Sequence, residues 1–565
     1  MKQIIECVPN ISEGRNQNII NQVVEEIEKV EGVKLLDVDP GKTTNRTVIT
    51  FVGEPEQVCQ SAFLVVKKAQ ELIDMRGHHG DHPRFGATDV CPLIPVANIT
   101  MEEVMELARK LGKRIAEELN IPVYCYESAA FTPERKNLAV CRSGEYEALK
   151  DRLGKEGQKP DFGPTQWSEQ VAKSGATAVG ARDFLLAVNY NLNTTSTRRA
   201  NAIAFDVREK GRPKREGGKP NGKPVLDENG KKIWIPGTLK GTKAIGWYIE
   251  EYGIAQVSMN ITNATQTPLH VCFDEVCNKA QARGVRVTGV EVVGLLPKKT
   301  LIDAGKYYLA KQKRSLGVSE EELIKIAVKS MGLDDLKPFK PEEKVIEYLI
   351  EDRSKKKLVD MTCKAFADET ASESPAPGGG SISAYCGALS ASLATMVANL
   401  SSHKAGWDDR WKEFSDVAEQ GQKLKDELIA LVDEDTNAFN VLFNAFSLPK
   451  KTDEEKLARS RAIEEATLYA ISVPYRTLQR SFDCFDICIK MIETGNPNSV
   501  TDAAVGILCA KAACIGAFMN MKINLAGLQD KSACDGMFAH AQQLVDKACE
   551  IEKQYTAKVL EQISK

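Results

Sequence analysis

Histidine is scarce in this chain, with six residues among 565. Charge of one sign is also missing. The formal net charge is −3, so no global field marks a partner of nucleic acid or of a membrane surface. The fifteen cysteines include no C-x-x-C pair, and they are odd in number and scattered. That excludes the usual zinc-ribbon spacing and argues against a secreted disulfide framework. Most lie in apolar runs, such as Cys7, Cys91 and Cys125, or at helical spacing, such as Cys484 with Cys488. Reduced, packed cysteines in a cytoplasmic compartment are expected. The opening "MKQIIECVPNISEG" turns polar too soon for the core of a signal peptide. Ser381 to Leu400 comes nearest to a membrane span, and its serines and charged flank predict a buried helix of a soluble protein.

What is present is too long for one hydrophobic core. Alternating strand and helix patterns fill the first 300 residues. Strand 3–8, helix 16–31, strands 33–39 and 46–53, helix 55–75 and strand 88–96 read βαββαβ. The order recurs as strand 183–192, helix 194–209, strands 244–250 and 254–262, helix 267–284 and strand 285–293. Elements at 101–119, 122–126 and 143–153 extend the first unit. Two such units predict tandem α/β subdomains of ferredoxin-like sandwich form, with a ligand crevice between their sheets. The insertion near 213–240 is rich in Gly, Pro and Lys and reads as an exposed loop open to anions. Within it "PVLDENGKKIWIP" predicts a hairpin about Asn229-Gly230. Residues 161–182 read as a Gly/Ser/Thr-rich connection crossing the crevice.

Strand signals stop beyond 319. Helical periods run over 358–369, 382–402, 408–446, 453–472, 473–494, 499–527 and 532–563, which predicts an all-α domain rich in small residues. The expected division is 1–181 and 182–350 for the two α/β subdomains, 351–357 as a charged linker, and 358–565 for the helices.

Half of the histidines sit in "GHHGDHPRFG". Gly77, Gly80 and Pro83 oppose a helix that would align His78 with His82, and no further ligand pair is evident for zinc. General acid–base work fits this loop best, with a metal site or a polar turn as the alternatives. Arg84 has the fork geometry to hold a substrate carboxylate. Asp39, at the end of strand 33–39, is a candidate to orient a histidine, although turn formation explains it equally well. In the helical half, "SPAPGGGSISAYCG" is a glycine loop opening a helix, a weak anion-site signal. In "LVDEDTNAF" an acid flanked by Leu431, Val432 and Phe439 is a candidate buried proton donor. Ser499 with Asp502 fits a capping box variant, and Asn524 is a candidate buried amide.

Taken together, "ECVPNISEG", "LLDVDPGKTTNRTVITFVG", "GHHGDHPRFGATDVCPLIPV", "PDFGP", "GATAVGAR", "VVGLLP", "PGGGS", "LVDEDTNAF" and "GNPNSVTDAA" resemble the formimidoyltransferase-cyclodeaminase family over essentially the whole chain. The resemblance implies a bifunctional folate enzyme of histidine degradation. It would transfer a formimino group from N-formimino-L-glutamate to tetrahydrofolate, then close the ring to 5,10-methenyl-tetrahydrofolate and release ammonia. It further implies His82 as transferase acid–base, Asp39 as its support and Asp435 as the cyclodeaminase acid. Substrate-binding roles fall on Arg84 and, in the loop from Gly163, on Pro164, Thr165, Ser174 and Gly175. In the helical half they fall on Gly378, Gly379, Gly380, Ser499, Asp502 and Asn524. The folate enters as a polyglutamylated substrate, no metal is expected, and the partners are small molecules and further copies of the chain, in a homo-oligomer built from dimers. The rival readings are a formylglutamate donor, a methenyltetrahydrofolate cyclohydrolase, and a metal-dependent hydrolase using His78, His79 and His82.

Overall fold

A computed structural model describes residues 3–41, 45–80, 83–218, 221–351, 357–528 and 530–565. His82 lies outside the described residues. Contacts divide the chain into one unit of residues 1–300 with 331–351 and a second of 301–330 with 352–565.

The first unit opens with strands β1 (Ile4–Cys7) and β2 (Asn10–Ile11), helix α1 (Gln17–Glu28), β3 (Val33–Gly41), β4 (Arg46–Gly53), α2 (Pro55–Leu72), β5 (Thr88–Ala97), α3 (Met101–Leu119), β6 (Val123–Glu127) and β7 (Thr177–Ala181). Local chemistry starts the helices. The Asn16 side chain accepts from the backbone of Asn18 and Ile19, and Thr100 with Glu103 forms a reciprocal capping box. Buried Ile20, Val23 and Ile27 give α1 its inward stripe. The sheet runs β3-β4-β1/β2-β5-β7-β6, with β7 parallel to both β5 and β6. Ile5, Cys7, Ile49 and Phe51 pack beneath the helices. On the opposite face Val90, Tyr124 and Tyr126 form a smaller core with Cys141 and Leu149.

The second sheet comprises β8 (Leu186–Leu192), β11 (Thr242–Ile249), β12 (Ile254–Ile261) and β13 (Val287–Val293); between β8 and β11 the chain makes the small ribbon β9 (Arg212–Pro213) and β10 (Trp234–Ile235). Helices α4 (Thr197–Val207) and α5 (Leu269–Gln281) supply its α layer. The order β11-β12-β8-β13 repeats the order β3-β4-β1-β5, so the tandem repeat read from element order is a repeat of topology. The predicted hairpin forms: Leu226 bridges Lys232, and Gly230 takes the positive φ of +75° that its turn demands.

Two expectations are corrected here. Residues 161–182 are not a plain connection, because β7 is a fully buried strand inserted between β5 and β6. Its "TAVGA" is too short and small-residued to show a strand pattern, and burial on both faces removes alternation. The predicted helices 453–472 and 473–494 are one helix, with Pro474 inside it.

The helical unit is built from α6 (Gly379–Ser402), α7 (Trp411–Phe446), α8 (Asp453–Thr494), α9 (Val500–Leu525) and α10 (Asp535–Ile563). Residues 301–330 pack with these helices. Gly317 lies so close to Ala418 that a Cβ would meet the Ala418 backbone at 2.3 Å, and the Leu316 amide donates to Ser415 Oγ at 2.9 Å. Helices α6 and α9 are long and apolar enough to cross a membrane by composition alone, yet Ala384, Ala388, Ala391, Ala503, Ala510 and Ala517 are buried in the bundle core.

Candidate active sites in the two units

Within the first unit the uncovered part of one sheet turns toward the second sheet. Side chains directly opposite across paired strands point to the same face. Ile49 is in the core, so its neighbours Val48 and Thr50 face outward, as do their partners Asp39 and Asp37. A cavity of about 300 Å³ lies there. Glu6, Asn10, Asp37, Val48 and Thr50 line it from the first sheet; Phe184, Leu185, Ala187, Val293 and Leu295 close it from the second, with Arg182 between. Asp39 is exposed on the same face, one alternate position beyond Asp37.

Asp89 on β5 is fully buried and carries two cations. Arg46 ion-pairs with it and donates through Nε to Asn10 Oδ1 at 3.0 Å, while Arg142 reaches Asp89 Oδ2 at 3.0 Å. Two guanidinium groups thus share one carboxylate, and Arg46 ties the cluster to Asn10 of the cavity wall.

The histidine loop is fastened from outside itself. Asn45, at φ +49°, donates from Nδ2 to the His79 carbonyl at 3.0 Å and accepts from the Gly14 amide at 3.0 Å. His78 is 7% exposed, and its Nε2 lies 2.9 Å from the Asn45 carbonyl. A carbonyl accepts only, so Nε2 carries the proton and Nδ1 is left without a partner among the described residues. Burial holds the His78 pKa below its ordinary value, which favours the neutral ring. His79 is exposed. Arg84 is not a free clamp: it pairs with Glu147 at 2.5 Å and donates to the His78 carbonyl at 3.0 Å. Among the described residues no three His, Cys, Asp or Glu side chains gather as metal ligands.

The residues expected to bind substrate after position 160 divide. Gly163, at φ +89°, packs so tightly that a Cβ would meet the Ile121 carbonyl at 2.5 Å; Thr165 is exposed and Pro164 half-buried. Ser174 and Gly175 are sheet-packing residues. Ser174 is 2% exposed, its carbonyl accepts from the Ala87 amide at 2.7 Å, and Gly175 bridges Gly86 at φ +66°.

In the helical unit the three acids of "LVDEDTNAF" have three partners. Asp433 accepts from the Leu358 amide at 2.7 Å. Glu434 pairs with Arg476 at 2.5 Å and accepts from Tyr469 at 3.0 Å. Asp435, on α7, lies against the start of α6, where Ser381 Oγ donates to it at 3.1 Å. Burial pushes its carboxyl pKa up, and the Ser381 hydrogen bonds oppose this incompletely. A Cβ at position 380 would lie 2.1 Å from Asp435 Oδ1, so only glycine admits the carboxyl here. Asn520 stands beside Gly379. Gly379 and Gly380 of the glycine loop therefore lie against Asn520 and Asp435.

Ser499, Asp502 and Asn524 do not join it within the chain. Gly379 neighbours Asn520, whereas Val397 neighbours Gly495, so α6 and α9 run antiparallel. Ser499 and Asp502 thus stand near the far end of α6, about 25 Å away at the helical rise per residue. The predicted capping box fails: the Ser499 side chain makes no cap hydrogen bond, and Asn496 caps the preceding turn instead. Asn524 donates to the Ala470 carbonyl at 2.8 Å.

Reading the sequence missed Glu6, Asn10, Arg182 and Asp89 in the first unit and Asn520 in the second. A signal existed for Glu6, a lone acid in the apolar strand "IIECV". The rest come together only through pairing and packing.

The chain matches three family models: the formiminotransferase domain N-terminal subdomain over residues 4–182, the formiminotransferase domain over 187–351, and formiminotransferase-cyclodeaminase over 362–543. It is 40% identical to formimidoyltransferase-cyclodeaminase of Gallus gallus over 566 aligned positions, covering 100% of this chain and 99% of that protein. The Rattus norvegicus protein of the same name is 40% identical over 94% of each chain. A glutamate formimidoyltransferase of Thermoplasma acidophilum is 41% identical over 54% of this chain and 92% of its own length.

Proposed function

Because the chain belongs to the formimidoyltransferase-cyclodeaminase family, we propose that it is a bifunctional folate enzyme. The α/β unit transfers the formimino group of N-formimino-L-glutamate to N5 of tetrahydrofolate. The helical unit closes 5-formimino-tetrahydrofolate to 5,10-methenyl-tetrahydrofolate with loss of ammonia. One observation carries this reading: relatives of the full length bear both activities in their name, while a relative named for the transferase alone spans only 54% of this chain. The whole-length relatives do not favour the formyl-donor, cyclohydrolase or metal-hydrolase alternatives.

In the first reaction N5 attacks the formimino carbon, and the carbon–nitrogen bond to glutamate breaks. His82 accepts the N5 proton and returns one to the leaving glutamate nitrogen, with Asp39 orienting the ring and stabilising its cation. Positioned proton transfer of this kind contributes roughly 10²–10⁴-fold, and juxtaposing the two substrates contributes more. In the second reaction N10 attacks the formimino carbon, N10 loses its proton, and the carbon–NH₂ bond breaks. Asp435, whose neutral form burial favours, donates to the departing nitrogen, and Gly380 makes room for it.

The same reading places the enzyme in the cytoplasm as a homo-oligomer built from dimers, acting on polyglutamylated folate. Support for self-association is the exposed apolar series Leu389, Met396 and Leu400 on α6 with Val505, Leu508, Met519 and Ile523 on α9.

The test mixes formiminoglutamate and tetrahydrofolate with the enzyme and follows methenyl absorbance and ammonia together. His82→Ala should abolish transfer yet still release ammonia from supplied 5-formimino-tetrahydrofolate. Near-normal transfer by that variant would overturn the assignment, and equal turnover of formylglutamate would change the donor.

A further inference from the structure

Glu6 has no part in the chemistry above, and its placement is unusual. It is a carboxyl on a central strand, 3% exposed, yet it lines the crevice cavity. Its neighbours on β1, Ile5 and Cys7, face the opposite side and are completely buried under the helices. The charged residue bearing on it is Arg182, whose own Nη1 donates to the Asp183 carbonyl at 3.1 Å. No side chain hydrogen-bonds the Glu6 carboxyl among the described residues. Burial outweighs the Arg182 charge and pushes the carboxyl up to about 7. Its oxygens are not sealed off by protein, so donors of a molecule that enters the cavity can reach them.

The cavity describes what would complete it. Val48, Phe184, Leu185, Ala187 and Val293 form apolar walls on both sides, suited to a flat ring. At about 300 Å³ the space is at the small end for a ligand site, enough for a fused bicyclic head and too small for a whole folate. A carboxylate has two acceptor oxygens side by side, and it pairs with a group offering two parallel N–H donors. Two groups in the proposed reaction have such an edge. One is the 2-amino-pyrimidinone edge of the pterin, and the other is the amidine of the formimino donor.

Position selects between them. Glu6 pairs with Val52 and Asp39 with Val48 on the shared neighbour β4. Four residues along the strand and two strand spacings across put Glu6 about 16 Å from Asp39, Cα to Cα. An amidine bound at Glu6 would leave the reacting carbon at the wrong end of the crevice. A pterin bound there by its outer edge points its second ring, which carries N5, along the slot toward Asp37 and Asp39. We infer that Glu6 is the recognition residue for the 2-amino-pyrimidinone edge of the folate, with Val48, Phe184 and Val293 walling the ring. This rests on the folate reading above and adds the part of the ligand that is read and the residue that reads it.

Isothermal titration of the full-length protein tests it, with three ligands: tetrahydrofolate, its 2-desamino-2-methyl analogue, and N-formimino-L-glutamate. Glu6→Gln keeps the shape but sets an N–H against the ligand's N–H. Tetrahydrofolate should bind Glu6→Gln at least tenfold more weakly than wild type. The analogue should bind both proteins alike, and the formiminoglutamate affinity should not move. An unchanged melting temperature shows that the variant is folded, and Glu6→Asp, which retains the charge but withdraws it, should fall between. Equal binding of tetrahydrofolate by wild type and Glu6→Gln overturns the inference while leaving the folate enzyme intact. A loss confined to formiminoglutamate overturns it in favour of the donor amidine. Wild-type protein that binds no tetrahydrofolate overturns the underlying reading as well.

Discussion

The Asn524 side chain donates to the Ala470 carbonyl at 2.8 Å, and that carbonyl is the one Pro474 leaves without its helical partner. Proline has no N–H, so residue i−4 loses its acceptor bond and the helix is normally broken there. Asn524 on the neighbouring helix makes good the deficit, which is how α8 runs unbroken from Asp453 to Thr494. No local sequence pattern can pair Asn524 with Ala470, since they are fifty-four positions apart. Asn524→Ala should therefore destabilise the protein by about 1–3 kcal/mol, the cost of an unsatisfied buried carbonyl. Placed in a Pro474→Ala background it should cost much less. Chemical denaturation of the four proteins of this cycle measures the difference, and an additive result would refute the pairing.

Gly380→Ala should remove ring closure by more than a hundredfold while transfer continues. The new methyl would lie at 2.1 Å from Asp435 Oδ1, and a displacement of about an ångström is costly for a catalytic group. Ammonia release from supplied 5-formimino-tetrahydrofolate, read beside the transfer rate, checks this.

Asp435 governs a pH dependence whose direction follows from burial. Its folded pKa is raised, so the proton donor is present at low pH and is lost as pH rises through that raised value. The ring-closure rate should fall with it. Stability moves the same way: the folded state holds a proton that the unfolded chain has released, so stability falls between the unfolded and the folded pKa. Asp435→Asn should abolish ammonia release yet be at least as stable as wild type at neutral pH, which a denaturation series across pH will determine.

Asp89→Asn should cost about 3–5 kcal/mol, because removing one partner of a buried ion pair strands the other. Here two arginines, Arg46 and Arg142, would be stranded at once. Thermal unfolding measures the loss. Unchanged stability would show that the arginines are not held by Asp89.

Element order, the tandem repeat, the helical second half and the motifs that carry the family resemblance are all legible in the amino-acid pattern. These rest on local periodicity and on short runs, which the chain states without reference to distant residues. Tertiary structure decided the rest. It made β7 a central strand, joined two predicted helices across Pro474, and drew residues 301–330 into the helical unit. It also sorted the candidate residues. Gly380 and Asp435 meet, and Asp37 and Asp39 share a face with the crevice, whereas Ser499 and Asp502 stand far from Asp435 and Arg84 is already paired. The physical reason is common to all of these. Which face a side chain takes, and what neutralises or strands its charge, depend on partners tens or hundreds of positions away, and no local pattern records them.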